Sequence, residues 1–407
     1  MARALAITGI GQVSALGADV SSLASGLREG RRGIGPLTVF AHRGRAQIAA
    51  QVAVVPDPPS ELPPAEARRC SRSDRLALAA TTEACRMAGL DPADRAGAAL
   101  VVGITTAGMF ETEEAYRRWR AGVDPRLRLS RWLGMPLSTV GVVVAQTLGI
   151  FGPRATVSTA CSSGALAIAT AAGMVARGEA PVAVALGVDT LCRLTYAGFD
   201  ALQALDVEPC RPFDVTRRGL SLGEGAAAVV IEPVERAQAR GARVHALLLG
   251  AGVSADAHHV TAPHPEGRGA LAAFRLALEA AGIAADAVDY VNAHGSGTTH
   301  NDEVEVRTLR AVMGARLPRV PVSSTKSQIG HCLAAAGAIE AVASITALTE
   351  GIVPATVGLG ASEPAWSDLD FVPEAGRRAP LGVVASSSYG FGGHNVTLLL
   401  ARPEFRA

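Results

Sequence analysis

The sequence predicts an α/β protein built from two pseudo-symmetric halves in an α/β/α/β/α layered arrangement, and three observations carry that prediction. The first is an ordered internal repeat. Gly9–Ala15 recurs as Gly250–Ala255, Leu76–Leu90 as Ala270–Ile283, Val101–Thr106 as Tyr290–Gly295, and Ala226–Pro233 as Val396–Pro403. The second is the alternation of short Val/Ile/Leu runs with Ala-rich stretches of helical length. The third is the segment Gly164–Gly178, which carries Arg177 as its only charge. A helix apolar all round belongs in the interior, here between two sheets.

In chain order, Ala4–Gly11 is a strand broken by glycine too early to be a signal-peptide core. Leu76–Ala88 is a helix ended by Gly89, and Val101–Thr106 is a strand closing on a Gly/Thr turn. Val182–Gly187 is a continuous apolar run, the mark of a strand covered on both faces. The join between repeats falls near Arg240–Gly241, so residues 1–240 and 241–407 are expected as the two halves. The proline cluster at 55–65 is a surface loop. Two uncharged stretches, 132–153 and 155–176, are interrupted by glycine, proline or serine and fit buried elements better than membrane spans.

Composition narrows the function. The 407 residues hold 38 basic and 37 acidic side chains, a formal net charge of +1. Such balance gives no bulk field for nucleic acid or a membrane surface, and an apolar content of 49% excludes a disordered chain. The six cysteines form no C-x-x-C pair and are scattered, as in a reducing, cytoplasmic setting. No histidine spacing suits a metal. His258, His259 and His264 fit a polar loop near a site. Gly9-x-Gly11-x-x-Ser14 imitates a dinucleotide fingerprint but lacks its third glycine.

Three segments can carry chemistry. In Val157-Ser-Thr-Ala-Cys161-Ser-Ser-Gly164 a cysteine stands where a strand turns into a helix. Unpaired N–H groups and the positive helix end there favour thiolate and can hold an oxyanion. Most cysteines are simply buried, and Cys85, Cys192 and Cys210 are read that way. His294, in Asn292-Ala-His-Gly-Ser-Gly-Thr298, ends an apolar strand, where a lone histidine is more often a satisfied core group. His331, in Ser324-Thr-Lys-Ser-Gln-Ile-Gly-His331, occupies in the second half the place that 157–164 fills in the first. The repeat therefore brings Cys161 and His331 together, and neutral imidazoles there can donate to an enolate or oxyanion. Lys326 is the only lysine in the chain. A composition that otherwise uses arginine retains one compact ammonium, five residues before His331. Gly390-Phe-Gly-Gly393 is a glycine turn that admits close backbone approach, with Phe391 placed as a lid.

Thr159-Ala-Cys-Ser-Ser163, Asn292–Thr298, Ser324-Thr-Lys-Ser…Gly-His331 and Gly390-Phe-Gly-Gly-His-Asn395 together resemble the elongating β-ketoacyl-ACP synthases, and the likeness spans the whole chain. The resemblance implies a thiolase fold with two five-stranded sheets and a dimer formed along the strand leading into the cysteine. It implies an acyltransferase in which Cys161 takes an acyl chain from acyl carrier protein. His294 and His331 would stabilise the enolate formed from malonyl-ACP. Lys326 would orient and tune the site, and Glu305 would support its hydrogen bonds. Ser296 and Thr298 would bind the phosphopantetheine arm. Phe391 would gate the pocket and share the oxyanion hole with Cys161. No separate cofactor and no metal are implied.

Departures bear on the substrate. Arg218 stands where the family often has an acid, and Thr105–Phe110 is the acyl-pocket loop. Fatty-acid elongation and a specialised polyene or polyketide pathway both fit. Arg126, Arg128 and Arg131 could dock the carrier protein or be a solvated stretch. A CoA-dependent thiolase would need a second cysteine where this chain has Gly390–Asn395. A chain-length-factor subunit would lack the nucleophile, which leaves the active half of a heterodimer with such a partner as the alternative to a homodimer.

Overall fold

The computed structural model describes residues 4–60, 62–124, 126 and 132–405. Ten strands form its main sheet: β1 (Leu5–Val13), β2 (Ala99–Gly103), β3 (Arg154–Val157), β4 (Ala183–Asp189), β5 (Gly225–Pro233), β6 (Ala246–Ala255), β7 (Tyr290–Asn292), β8 (Val322–Ser323), β9 (Val383–Gly390) and β10 (His394–Ala401). Their spatial order is β8-β7-β9-β10-β6-β1-β5-β4-β2-β3. Each set of five therefore has the same order, third-second-fourth-fifth-first, and the four repeats seen in the sequence fall on equivalent elements. The two five-stranded sheets meet where β1 pairs with β6 antiparallel through Leu5↔Leu248, Ala6↔Leu247 and Ile7↔Ala246. They run into one continuous ladder.

Helices complete the layers. The outer ones are α1 (Arg72–Ala88) and α2 (Ser138–Leu148) on the first half, and α5 (Arg268–Ala281) and α6 (Thr299–Met313) on the second. Between the sheets lie α3 (Ser163–Ala176) and α7 (Ala336–Glu350), while α4 (Arg193–Ala201) caps the site. A capping box starts α1: the Ser71 hydroxyl accepts from the Asp74 N–H at 3.1 Å, and the Asp74 carboxylate accepts from the Ser71 N–H at 2.8 Å. Gly9 and Gly11 seat that helix on β1, since a Cβ at either would lie 2.1 Å from the carbonyl oxygen of Ala84 or Ala80. Gly250 and Gly252 do the same for α5 on β6. The glycine pair is thus a packing device, repeated in both halves, rather than a phosphate loop.

The two central helices differ. Every residue of α7 from Ala336 to Leu348 is buried. In α3, Leu166, Ala169 and Met174 remain half-buried along a flank beside β3, which is itself an edge strand. The expectation that Gly164–Gly178 is enclosed all round holds for one face only. Among the described residues, the helix long and apolar enough to cross a membrane is Leu333–Glu350, and 89% of it is buried between the sheets. It is a core helix.

Candidate active site

The nucleophile elbow follows β3. Ala160 has φ +51°, a left-handed conformation that swings Cys161 to the start of α3. The two serines after the cysteine hold this turn. The Ser162 hydroxyl donates to the carbonyl of Thr159 at 2.9 Å, and that of Ser163 to the carbonyl of Ala160 at 2.6 Å. Ser163 Oγ also accepts from the Thr159 N–H at 2.8 Å. Gly390 lies so close to the elbow that a Cβ would sit 2.7 Å from the carbonyl of Thr159. The approach lets the Phe391 N–H, with that of Cys161 itself, point at the sulfur.

Cys161, His294, His331 and Phe391 line one cavity of about 340 Å³. Ser296, Thr298 and Arg218 line it as well, as do Asp256, Thr261 and Pro263 from the loop carrying the histidine pair. The imidazoles of His294 and His331 stand edge to face, 5.4 Å between centroids. His331 Nδ1 accepts the Leu333 N–H at 3.1 Å, so the proton of the neutral ring sits on Nε2. His294 Nδ1 lies 3.3 Å from the Lys326 ammonium, which can only donate, and this ring too carries its proton on Nε2. Burial first, then the charge of Lys326, holds both histidines well below the usual imidazole range. Two neutral N–H donors result.

Lys326 is fully buried at the start of a short helix after β8. Its ammonium donates to the carbonyl of His294 at 2.6 Å and forms an ion pair with Glu340. Glu305 reaches the network through the backbone, accepting from the N–H groups of His294 at 2.8 Å and Gly295 at 2.7 Å. Burial raises the Glu305 carboxyl to about 8 and that of Glu340 to about 7. At the mouth, Ser296 Oγ and Thr298 Oγ1 are 2.8 Å apart. Phe391 stacks on Phe199 of α4 at 5.4 Å.

One expectation is overturned. Burial drives the Cys161 thiol up to about 11, more than the Phe391 N–H and Lys326 lower it. The elbow alone does not make a resting thiolate, because Cys161 is buried and desolvation of the anion dominates. Of the three arginines that could dock a carrier protein or form a solvated stretch, Arg126 is exposed at the surface, whereas Arg128 and Arg131 lie outside the described residues. Glu340, Phe199 and Asp189 were missed from the sequence. Glu340 had a signal: it is the only charged residue in α7 before the terminal Glu350, and it pairs with the only lysine.

Comparison with known proteins agrees with this geometry. Residues 2–237 match the β-ketoacyl synthase N-terminal domain, and residues 245–360 match the β-ketoacyl synthase C-terminal domain. Nodulation protein E of Rhizobium meliloti is 38% identical over 98% of this chain and 99% of its own. The 3-oxoacyl-[acyl-carrier-protein] synthase 2 of Synechocystis is 35% identical over 97% of each. Among solved structures, the ishigamide ketosynthase/chain length factor superposes with a TM-score of 0.90 at 32% identity, covering 99% of this chain and 100% of that one. A thiolase-fold acyltransferase is the class defined by fold and site. The chain belongs to the β-ketoacyl synthase family.

Proposed function

We propose that the chain condenses an acyl group with malonyl-ACP by decarboxylative Claisen chemistry, giving β-ketoacyl-ACP. The observation that supports it most is the convergence on one cavity of a cysteine, two Nε2–H donors and two backbone N–H groups. The Cys161 sulfur attacks the acyl thioester, and its proton leaves on the released pantetheine thiol. Malonyl-ACP then loses carbon dioxide, and the negative charge moves to the thioester oxygen, where His294 and His331 donate to it. The enolate carbon attacks the Cys161 thioester, whose oxyanion is held by the N–H groups of Cys161 and Phe391. Collapse frees the sulfur as a thiolate, which takes a proton from water to restore the thiol. Burial, with the charge of Lys326, keeps both rings neutral, and Lys326 fixes His294, while Ser296 and Thr298 guide the arm. Residues 1–240 supply the nucleophile and 241–407 the enolate donors. The substrates arrive on the carrier's own arm, no further cofactor is needed, and the work is done in the cytoplasm. Incubating acyl-ACP and malonyl-ACP with the protein should yield β-ketoacyl-ACP by mass spectrometry. Carbon dioxide without condensation product, or neither, would refute the assignment.

A paired assembly is part of the same proposal. β3 presents an unpaired edge with alternating exposure, the α3 flank beside it is half-open, and Phe151 is 70% exposed. The neighbour that superposes at 0.90 is a ketosynthase/chain length factor, which favours a heterodimer with a nucleophile-free, similarly folded subunit over a homodimer. Sizing the purified chain alone and with the products of neighbouring genes decides between them.

A further inference from the structure

Asp189 closes β4 and is fully buried, yet no step above uses it. It accepts hydrogen bonds from five donors on two separate loops. Oδ1 takes the Thr105 N–H at 3.0 Å, the Thr106 N–H at 2.7 Å and the Thr106 hydroxyl at 2.8 Å. Oδ2 takes the Thr105 hydroxyl and, at 2.9 Å, the N–H of Ala334. The first loop runs on to Phe110, which packs in the apolar cluster that also holds Leu333 and Phe199. The second is the turn that fixes His331, whose Nδ1 accepts from Leu333. Both loops contain a non-glycine residue in left-handed backbone, Ala107 at φ +43° and Leu333 at φ +52°, conformations that the surroundings must hold.

We infer that Asp189 is a positioning residue that ties the acyl-side loop Thr105–Thr106 to the His331 turn, with Oδ1 serving the acyl-side loop alone and Oδ2 shared between the Thr105 hydroxyl and the Ala334 N–H. This rests on the condensation reading above and adds a division of labour within it. The two oxygens can be separated chemically. In Asp189→Asn, keeping Oδ1 toward the three donors of Thr105 and Thr106 turns the amide NH₂ toward Ala334, where donor meets donor. The Thr105 hydroxyl can rotate to accept, but a backbone N–H cannot. The reverse flip would set NH₂ against two backbone N–H groups and is worse. The substitution therefore releases the His331 turn and spares the acyl loop. Thr106→Val removes a hydroxyl that serves Asp189 and the Thr190 backbone and makes no bond to the His331 turn.

The test measures two half-reactions. Acyl transfer to Cys161 is followed with acyl-ACP by intact mass. Decarboxylation of malonyl-ACP is followed in a Cys161→Gln background, where no acyl-enzyme forms. Asp189→Asn should lose tenfold or more in decarboxylation kcat with KM little changed, while acyl transfer stays within about threefold, the pattern of a displaced catalytic group. Thr106→Val should show the opposite bias, slower acyl transfer with decarboxylation falling less. Melting curves accompany both. Parallel losses in the two half-reactions, or unchanged decarboxylation in a folded Asp189→Asn protein, would overturn the inference. If Asp189→Asn does not fold, the bias of Thr106→Val alone decides it. Wild-type protein that fails to condense would refute the condensation reading instead.

Discussion

The ammonium of Lys326 donates to the carbonyl oxygen of His294 at 2.6 Å, in a place where both side chains are shut away from water. The same nitrogen meets Glu340 and His294 Nδ1, so its three N–H groups have three acceptors. A buried charge is tolerated because it is fully satisfied.

Lys326→Arg tests that fit. A guanidinium has five donors in a plane and no means of placing three of them tetrahedrally, so some are left buried and unpaired at about 1–3 kcal/mol each. The variant should fold with a lowered Tm and lose condensation on the order of 10²-fold, the scale of a misplaced catalytic group. Steady-state kinetics beside a melting curve measure both, and full activity would return Lys326 to a bystander.

Cys161→Gln and His331→Ala should separate the half-reactions. The glutamine removes the nucleophile but leaves an amide where the acyl thioester would lie, so malonyl-ACP decarboxylation should continue while condensation stops. His331→Ala should take up an acyl group and fail to decarboxylate. Normal carbon dioxide release from His331→Ala would remove His331 from enolate stabilisation.

Glu305→Ala should act through His294 without touching substrate. Losing the carboxylate leaves the buried N–H groups of His294 and Gly295 unpaired. The expected result is a decarboxylation rate lowered by one to two orders of magnitude, with acyl transfer to Cys161 less affected, on the scale of a shifted catalytic group. Equal loss in both half-reactions would point to general loosening.

Alkylation of Cys161 distinguishes a thiol from a resting thiolate. With the thiol held up at about 11, inactivation by iodoacetamide should rise about tenfold per pH unit from pH 7 to 10. A plateau near neutrality would mean that the helix end outweighs burial.

Stability should also report His331. Its native pKa is depressed, so below about 6.5 the unfolded chain binds a proton that the native ring does not, and stability falls as pH falls. Glu305 and Glu340, raised to about 8 and about 7, act with the opposite sign. The difference between wild type and His331→Ala isolates the histidine. Going from pH 6.5 to 5.5, wild type should lose about 1 kcal/mol more than the variant in urea unfolding. No difference in slope would show that His331 protonates freely in the native state.

Much of this protein was legible before any coordinates. The ordered repeat gave two equivalent halves because a duplicated strand and helix pattern must bury its faces in the same way twice. The lone lysine, the cysteine before Ser162–Ser163 and the two histidines in glycine-flanked turns stood out as candidates by residue type and setting, and Cys161, His294 and His331 line one cavity with Lys326 buried beside His294. What only the tertiary structure decided depends on contacts distant in sequence. Glu340 meets Lys326 because α7, packed against β5 and β9, reaches the short helix that follows β8, and Asp189 reaches Thr105 and Ala334 because three loops converge at the end of β4. The state of Cys161 departs from the sequence expectation for the same reason. A helix end is visible in sequence, but the desolvation that opposes it comes from every element packed around the sulfur.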